Sequence, residues 1–249
     1  MWIRPGYAGL GSTYGMAIDK RAGIFWVCSN DLSSMGLAKS DGSAVMGFDL
    51  VSGAKRRRIQ LPDGPAECND IAIGKDGTLY VTDSGKPRVL RLRPGEKAFS
   101  ILSSDERFGE PGGGPDGIAI GADGNLYINI LGTGCIFRIP LTAKSAGTPV
   151  EIRLSQILSG TDGMRHEGGN RFLVVTGEGT LMRVAIVGDQ GKVGTVASGL
   201  HGPTGLTIRG DRALIAEGYF EYLFDEKMKG KKPPLPFYIR ARPLNPNAR

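Results

Sequence analysis

The sequence predicts an all-β fold, a β-propeller of five four-stranded blades, and two observations carry this prediction. The chain of 249 residues contains 39 glycines and 15 prolines beside 40% hydrophobic residues, a composition typical of an ordered protein with many tight turns. One short phrase also recurs five times, and each copy is followed by a turn and a second hydrophobic run. We therefore expect residues 1–249 to form a single domain.

The repeated phrase predicts the first strand of each blade. Its five copies occupy residues 14–18, 69–73, 116–120, 162–166 and 204–208. Apolar residues alternate within each copy, and pairs such as Asp76-Gly77 and Asp123-Gly124 separate the copy from the next run. This is the chemistry of a β-hairpin turn, because Asp and Gly tolerate a positive φ.

Two further alternating runs complete each predicted blade. The third strands are expected at residues 45–48, 89–92, 136–139, 181–184 and 222–224, and the fourth near 58–59, 99–101, 151–152, 195–196 and 238–239. Successive copies start 55, 47, 46 and 42 residues apart, close to the roughly 40 to 50 residues of a propeller blade. Blades should start near residues 13, 68, 115, 161 and 203, with residues 1–12 as a remnant or closing strand of a further blade.

Charge, cysteine content and hydropathy restrict the class of protein. The formal charge of +6 comes largely from runs at residues 55–58 and 227–232, which are predicted to be solvated turns and carry no base-reading motif, so nucleic acid is not an expected partner. Cys28, Cys68 and Cys135 lack C-x-x-C spacing and are expected to be reduced. No apolar stretch is long enough to span a membrane, so a soluble, cytoplasmic protein is expected, with a secreted or periplasmic longer form as the alternative.

The residue that precedes each first strand is predicted to face the central channel. The first strands of all blades start at the same end of the channel, and this position holds Tyr14, Asn69, Asp116, Asp162 and Thr204. Two carboxylates and a carboxamide that converge there would repel one another unless a cation lay between them. Asn69, Asp116 and Asp162 are therefore the predicted ligands of a hard divalent cation, calcium first, with magnesium, manganese or zinc as alternatives.

A local role for these polar residues is the competing interpretation. Asp and Asn also start strands by bonding nearby backbone N–H groups. At the ends of second strands, Asn129 and Glu217 could supply a base or a further ligand, whereas His166 is interpreted as an ordinary strand residue.

At these residues the sequence resembles the gluconolactonase and senescence-marker-protein (regucalcin-like) family. The resemblance rests on Cys68-Asn69-Asp70, Pro115-Asp116-Gly117 and Asp162-Gly163 and covers roughly residues 10–245. It implies a six-bladed propeller that hydrolyses sugar lactones with a divalent cation in its channel. The family's glutamate ligand belongs to a first blade that is mostly absent from this sequence, so one ligand would be missing.

The resemblance also implies roles for the ring residues. Asn69 would contact metal or substrate, and Asp162 would bind the metal and help activate water. Asp116 stands where the family usually has asparagine, and the added charge could let it share the role of base. Independently of the resemblance, Tyr14 and Thr204 stand at the other ring positions and would shape the pocket, so Tyr14, Asn69 and Thr204 are the predicted substrate-binding residues.

Two functions from different classes follow. The first is a metal-dependent hydrolase of small cyclic esters, a lactonase whose catalytic residues are Asp162 and Asp116. The alternative is a non-catalytic propeller of the NHL type that binds a ligand or a protein. The chain is expected to be a monomer, or an edge-paired dimer if the ring is open, because an open propeller leaves unpaired strand edges.

Overall fold

A computed structural model describes residues 2–109, 112–142, 145–228 and 230–245, and these residues form five blades. The blades contain the following strands, in chain order: β1 (Ser12–Asp19), β2 (Ile24–Asn30), β3 (Ala44–Asp49) and β4 (Lys55–Gln60); β5 (Cys68–Ile73), β6 (Leu79–Asp83), β7 (Arg88–Leu92) and β8 (Ser100–Ser104); β9 (Pro115–Ile120), β10 (Leu126–Ile130), β11 (Ile136–Ile139) and β12 (Val150–Leu154); β13 (Thr161–Gly168), β14 (Arg171–Thr176), β15 (Thr180–Val187) and β16 (Gln190–Ala197); β17 (Pro203–Arg209), β18 (Arg212–Glu217) and β19 (Ile239–Pro243). The all-β propeller prediction is confirmed.

Neighbouring strands within each blade are antiparallel, and the inner strands lie side by side. β1 adjoins β5, β5 adjoins β9, β9 adjoins β13, and β13 adjoins β17. The predicted hairpin turns are present: Gly77 and Gly124 have φ of 89° and 80°, and Asp76 Oδ1 accepts a hydrogen bond from the Thr78 amide at 3.0 Å. The third and fourth blades are also joined at their outer edges, where β12 pairs in parallel with β16.

The core of the molecule lies between blades. Ile71 packs in a buried cluster with Trp26 of the preceding blade, and Met164 packs with Tyr127 of the blade before it. Both are the third residue of the repeated phrase, so this position packs a blade against its predecessor. In the first blade this position is Met16, whose side chain is 45% exposed. The face of the first blade that would meet a preceding blade is thus only partly covered.

Residues 2–11 cover the outer part of that face. They contain the 3-10 helix Tyr7–Gly9 where a strand was expected. The Trp2 ring lies 5.4 Å from that of Phe25, and the Tyr7 ring lies 6.2 Å from that of Phe48. This segment therefore packs across the first blade as an aromatic cover.

The fifth blade differs from its prediction. Residues 222–224, expected as its third strand, belong to the short helix α1 (Glu221–Phe224). The described residues of the fifth blade contain three strands, and β19 pairs directly with β18. The physical reason lies at Tyr219, whose φ of 50° turns the chain out of the sheet. Prolines then follow at positions 233, 234 and 236. Because proline has no N–H to donate to a neighbouring strand, the chain rejoins the sheet only at β19.

Two further expectations from the sequence were wrong. Residues 55–58 are not a turn but begin the outermost strand of the first blade, where basic side chains protect an exposed edge from pairing. Cys28 and Cys68 are not reduced but form a disulfide with a Cα–Cα distance of 5.2 Å, joining β2 to β5. Within the described residues, no helix has the length and apolar content needed to cross a membrane.

Candidate functional site

Four of the five predicted ring residues come together at one end of the inner strands. Asn69 Nδ2 donates to Asp116 Oδ2 at 2.9 Å, and the carboxyl groups of Asp116 and Asp162 lie within hydrogen-bonding reach of each other. Tyr14 is close enough to both carboxylates for them to affect its ionisation. Thr204 occupies the same position of β17: its backbone oxygen lies beside Gly163 of the neighbouring strand, and its side-chain methyl group lies beside Gly218.

Glycines directly after the ring position allow this convergence. A Cβ atom on Gly117 would lie 2.5 Å from the Met164 amide nitrogen and 2.7 Å from the Asp162 carbonyl oxygen. A Cβ atom on Gly163 would lie 2.9 Å from the Cα of Gly205. Because these neighbours are backbone atoms that cannot move aside, only glycine lets the inner strands approach closely enough to bring Asp116 and Asp162 together.

The buried side chain of Asn129, on β10, fixes the position of both acidic residues. Its Oδ1 accepts a hydrogen bond from the Gly117 amide at 2.8 Å, and its Nδ2 donates to the Asp162 carbonyl at 2.6 Å. Both ends of the amide are therefore in use, which makes Asn129 a positioning residue. Glu217 is likewise engaged, since it accepts from the His201 amide and from Arg240 Nε.

Asp116 is a carboxyl group in an unfavourable environment for charge. It is 3% exposed, and its Oδ1 is buried without a hydrogen-bond partner. Burial, together with the nearby carboxylates of Asp162 and Asp70, holds the pKa of Asp116 well above its usual range. The group therefore gives up its proton less readily than an ordinary aspartate, and a cation could take the place of that proton.

Asp162 is the second member of this pair. Burial raises its pKa to about 7, although its Oδ1 accepts a hydrogen bond from the Gly163 amide at 2.8 Å. Two carboxyl groups that interact in this way titrate as a unit, so their protons belong to the pair and not to either residue alone.

Tyr14 lies on the other side of the same cluster. Burial raises the pKa of its hydroxyl group, and a hydrogen bond with the carboxylate of Glu67 adds to the effect. Tyr14 consequently stays protonated and acts as a hydrogen-bond donor at this site.

Sequence reasoning missed an ion pair among these residues, formed by Asp70 and Arg165. Arg165 Nη1 lies 2.5 Å from Asp70 Oδ2, and Nη2 lies 3.1 Å from Oδ1. A signal was present in the repeat: Asp70 stands where the other four copies have glycine, and Arg165 stands where they have Ala, Ala, Ala and Thr. The two departures from the repeat carry opposite charges.

A cavity opens beside Asp162, between the fourth and fifth blades. Its volume is about 410 Å³, and its walls include Glu178, His201, Phe220 and Glu221. The aromatic ring of Tyr219 stacks on His201 at 5.4 Å. A small molecule in this cavity would therefore have a carboxyl group of the ring within reach.

The chemistry of these residues fits a hard divalent cation. The described residues contain no group of three His, Cys, Asp or Glu side chains that could hold a metal ion by themselves, so a cation at this ring would also need the amide of Asn69. Its Nδ2 is used by Ser84 and Asp116, which leaves Oδ1 as the coordinating atom. Together with the unpartnered Oδ1 of Asp116 and the carboxyl of Asp162, the donors are all oxygen, as calcium and magnesium prefer.

Comparisons with solved structures identify propellers with the same fold. A streptogramin B lyase matches with a TM-score of 0.63 and 18% identity over 84% of this chain and 63% of that one. A gluconolactonase from Xanthomonas campestris matches with a TM-score of 0.62 and 16% identity over 83% of this chain and 69% of that one. Regucalcin from Agrobacterium tumefaciens, described as a calcium-binding protein, matches with a TM-score of 0.59 and 16% identity over 84% and 83%.

No protein-family model matches the sequence, and no curated protein matches it either. The chain spans 63% of the length of the lyase. The likeness to gluconolactonase and regucalcin that was expected from the ring residues is confirmed at the level of structure, and the chain has the β-propeller fold that these proteins share with streptogramin B lyase.

Proposed function

We propose that this protein is a cation-dependent hydrolase of small cyclic esters, with its active site at the ring of Asn69, Asp116 and Asp162. The observation that carries the proposal is the close pair of carboxyl groups of Asp116 and Asp162 beside the Asn69 amide, in a setting that disfavours their negative charge. Two proteins of the same fold support the proposal: one is named a gluconolactonase, and regucalcin is described as a calcium-binding protein.

Each ring residue has a role in this proposal. Asp162 is the general base that takes a proton from the attacking water. Its pKa of about 7 is that of the cation-free chain, and a bound cation would lower it and keep the carboxylate ionised and able to accept that proton. Asn69, Asp116 and Asp162 hold the cation, with calcium as the first candidate and magnesium, manganese and zinc as alternatives. The bound cation would supply a Lewis acid that polarises the ester carbonyl.

The substrate would lie between the ring and the cavity beside Asp162. Tyr14 presents a hydroxyl group whose proton is donated to the Glu67 carboxylate, so its oxygen could accept a hydrogen bond from a substrate hydroxyl group. Asn69 would contact the substrate from β5, and Thr204 would do so from β17. The cavity of about 410 Å³ accommodates a small molecule.

Isothermal titration calorimetry tests the cation site first. We expect micromolar binding of calcium to the wild-type chain and no measurable binding to Asp116→Asn/Asp162→Asn, because both ligand charges are removed. Asp123→Asn is the matched control: it lies in the turn at the far end of β9, where it bonds Asn125 and Tyr127. No binding of any of the four cations to the wild type would favour a ligand-binding scaffold instead.

Turnover of a panel of lactones tests the chemistry. The Asp162→Asn variant should lower kcat at least a hundredfold, because general-base catalysis contributes roughly 10² to 10⁴. Chelation of the cation should abolish turnover in the wild type. Full activity in Asp162→Asn would contradict the proposed role of this residue.

A lyase is the second candidate, because a streptogramin B lyase shares the fold and His201 lines the cavity beside Asp162. Isotope labelling separates the two reactions. A hydrolase incorporates ¹⁸O from labelled water into the product carboxylate, whereas a lyase leaves the product unlabelled. Asp162→Asn and His201→Ala, compared in the same assay, then identify the residue on which turnover depends.

A further inference from the structure

We propose that the Asp70–Arg165 ion pair is a positioning pair, which holds the inner strands of the second, third and fourth blades in the register that brings Asp116 and Asp162 together. This inference rests on the function proposed above, because it concerns the geometry of the same ring. The argument uses the contacts of both side chains and their place along the strands.

The pair joins blades that are not neighbours. Asp70 lies on β5 of the second blade and Arg165 on β13 of the fourth, with β9 of the third blade between them. Asp70 Oδ2 also accepts a hydrogen bond from the Ile118 amide of β9 at 3.2 Å. One carboxylate therefore contacts three successive inner strands.

A chain of hydrogen bonds leads from Asp70 to the ring. The Asp70 amide donates to Thr82 Oγ1 at 3.0 Å, and this hydroxyl donates to the Asp116 carbonyl at 2.5 Å. Asp70 directly follows the ring residue Asn69, and Arg165 lies three residues after Asp162. A displacement of Asp70 is therefore transmitted to the backbone of Asn69 and Asp116, and a displacement of Arg165 to that of Asp162.

The position of Arg165 along its strand explains why an arginine is needed. Arg165 stands two repeat positions further from the ring than Asp70 does, and two residues of strand span about 7 Å, so Arg165 starts deeper along β13 than Asp70 does along β5. Only a long side chain reaches back to the carboxylate, and the planar guanidinium then forms two parallel bonds that fix its orientation. The Asp70 side chain is 4% exposed and that of Arg165 26% exposed, so water competes little for the carboxylate.

A charge-neutral double substitution separates positioning from electrostatics. Removal of Arg165 alone would strengthen cation binding by removing a nearby positive charge, and removal of Asp70 alone would weaken it. Asp70→Asn/Arg165→Met removes one charge of each sign and keeps similar volumes. The control is Arg138→Met/Asp189→Asn, which removes another ion pair between blades, 2.6 Å long, from β11 and the turn between β15 and β16, outside the ring.

Two readouts, neither of which depends on turnover, test the proposal on these variants. In calorimetry we expect the Asp70→Asn/Arg165→Met variant to bind calcium at least tenfold more weakly than wild type, with the control pair unchanged. In hydrogen–deuterium exchange we expect faster exchange in peptides covering β9 and β13 and no change in peptides covering β17. Circular dichroism confirms that the variant is folded before either measurement.

The outcomes distinguish this proposal from the function on which it rests. A wild-type chain that binds no cation would count against the proposed function, and hydrogen exchange alone would then decide whether the pair fixes the strands. Calcium binding in the double variant at wild-type strength would overturn the positioning role. Unchanged exchange in β9 and β13 would also overturn it. If Asp70→Asn/Arg165→Met does not fold, Arg165→Lys replaces it. The lysine ammonium cannot form the two parallel bonds, so calcium binding should again be tenfold weaker. Undiminished calcium affinity in Arg165→Lys would overturn the proposal.

Discussion

At the scale of single residues, the glycines after the ring position determine whether the acidic side chains can meet. A Cβ atom on Gly117 would collide with the backbone of β13, whereas one on Gly205 would have no atom within 4 Å. The two glycines occupy the same position of the repeat, so a comparison between them isolates the effect of the neighbouring strand.

We therefore predict different costs for the same substitution at these two sites. Gly117→Ala should lower the free energy of unfolding by about 1–3 kcal/mol, because the added methyl group forces the strands apart. Gly205→Ala should change it by no more than about 0.5 kcal/mol. Urea denaturation of both variants measures the difference, and equal losses would contradict the open space beside β17.

The acidic pair also predicts how stability depends on pH in the absence of cations. Unfolded Asp loses its proton near pH 3.9, whereas folded Asp162 has a pKa of about 7. Between these values the folded state binds more protons, so the free energy of unfolding falls as pH rises from about 4 to about 7. The loss from this residue is up to about 4 kcal/mol, at 1.4 kcal/mol per pKa unit.

Denaturation of the chelator-treated chain at pH 4, 5.5 and 7.5 measures this slope. The Asp162→Asn variant provides the comparison, because an amide does not titrate, and its slope should be shallower than that of the wild type by the share that Asp162 contributes. The same slope in wild type and variant would show that Asp162 has an ordinary pKa.

The sequence predicted Asn69, Asp116 and Asp162 as neighbours because a repeat brings equivalent positions to one axis. It did not reveal the Asp70–Arg165 pair, because the contact depends on how far a long side chain reaches back across an intervening strand. The convergence of backbones is a property of the repeat, whereas the path of one side chain is set by its surroundings.

At the scale of structural elements, the disulfide shows what pairing of blades adds to the sequence pattern. Cys28 lies on β2 and Cys68 begins β5, and the two approach only after the first and second blades have packed. The adjacent Asn30 strengthens the same junction, since it exchanges two hydrogen bonds with the Cys68 backbone. Cysteine spacing alone could not identify this contact.

Loss of the disulfide should be costly. The bond closes a loop of 40 residues, and the entropy of such a loop corresponds to about 4 kcal/mol. Cys28→Ala/Cys68→Ala should lower the free energy of unfolding by this order, and Cys135→Ala, at the cysteine outside this disulfide, should have little effect. Wild type and double variant with equal stability under non-reducing conditions would mean that the bond does not form in solution.

At the scale of the whole molecule, the repeat predicted the blades and their order but not the ends. A repeat pattern describes what each blade shares with the others, and the first and last blades differ because each has a face with a different neighbour. Residues 2–11 form an aromatic cover instead of a strand, and the fifth blade replaces its expected third strand by a helical turn. Local features outside the repeat, above all the left-handed Tyr219, set these departures.

The unequal burial of one repeat position provides a test of whether the ring of blades is open at the first blade. Met16 and Ile71 occupy the same position of the first and second blades, yet Met16 is 45% exposed and Ile71 is 3% exposed. Ile71→Ala should lower the free energy of unfolding by about 2–5 kcal/mol, as for a core residue, whereas Met16→Ala should lower it by no more than about 1 kcal/mol.

Urea denaturation at several protein concentrations shows what covers Met16. A large, concentration-independent loss of stability in Met16→Ala would mean that the ring closes over this residue. A cost that grows with concentration would mean that a second copy covers it, as an edge-paired dimer requires. A small cost at every concentration would show that the inner face of the first blade stands open to solvent.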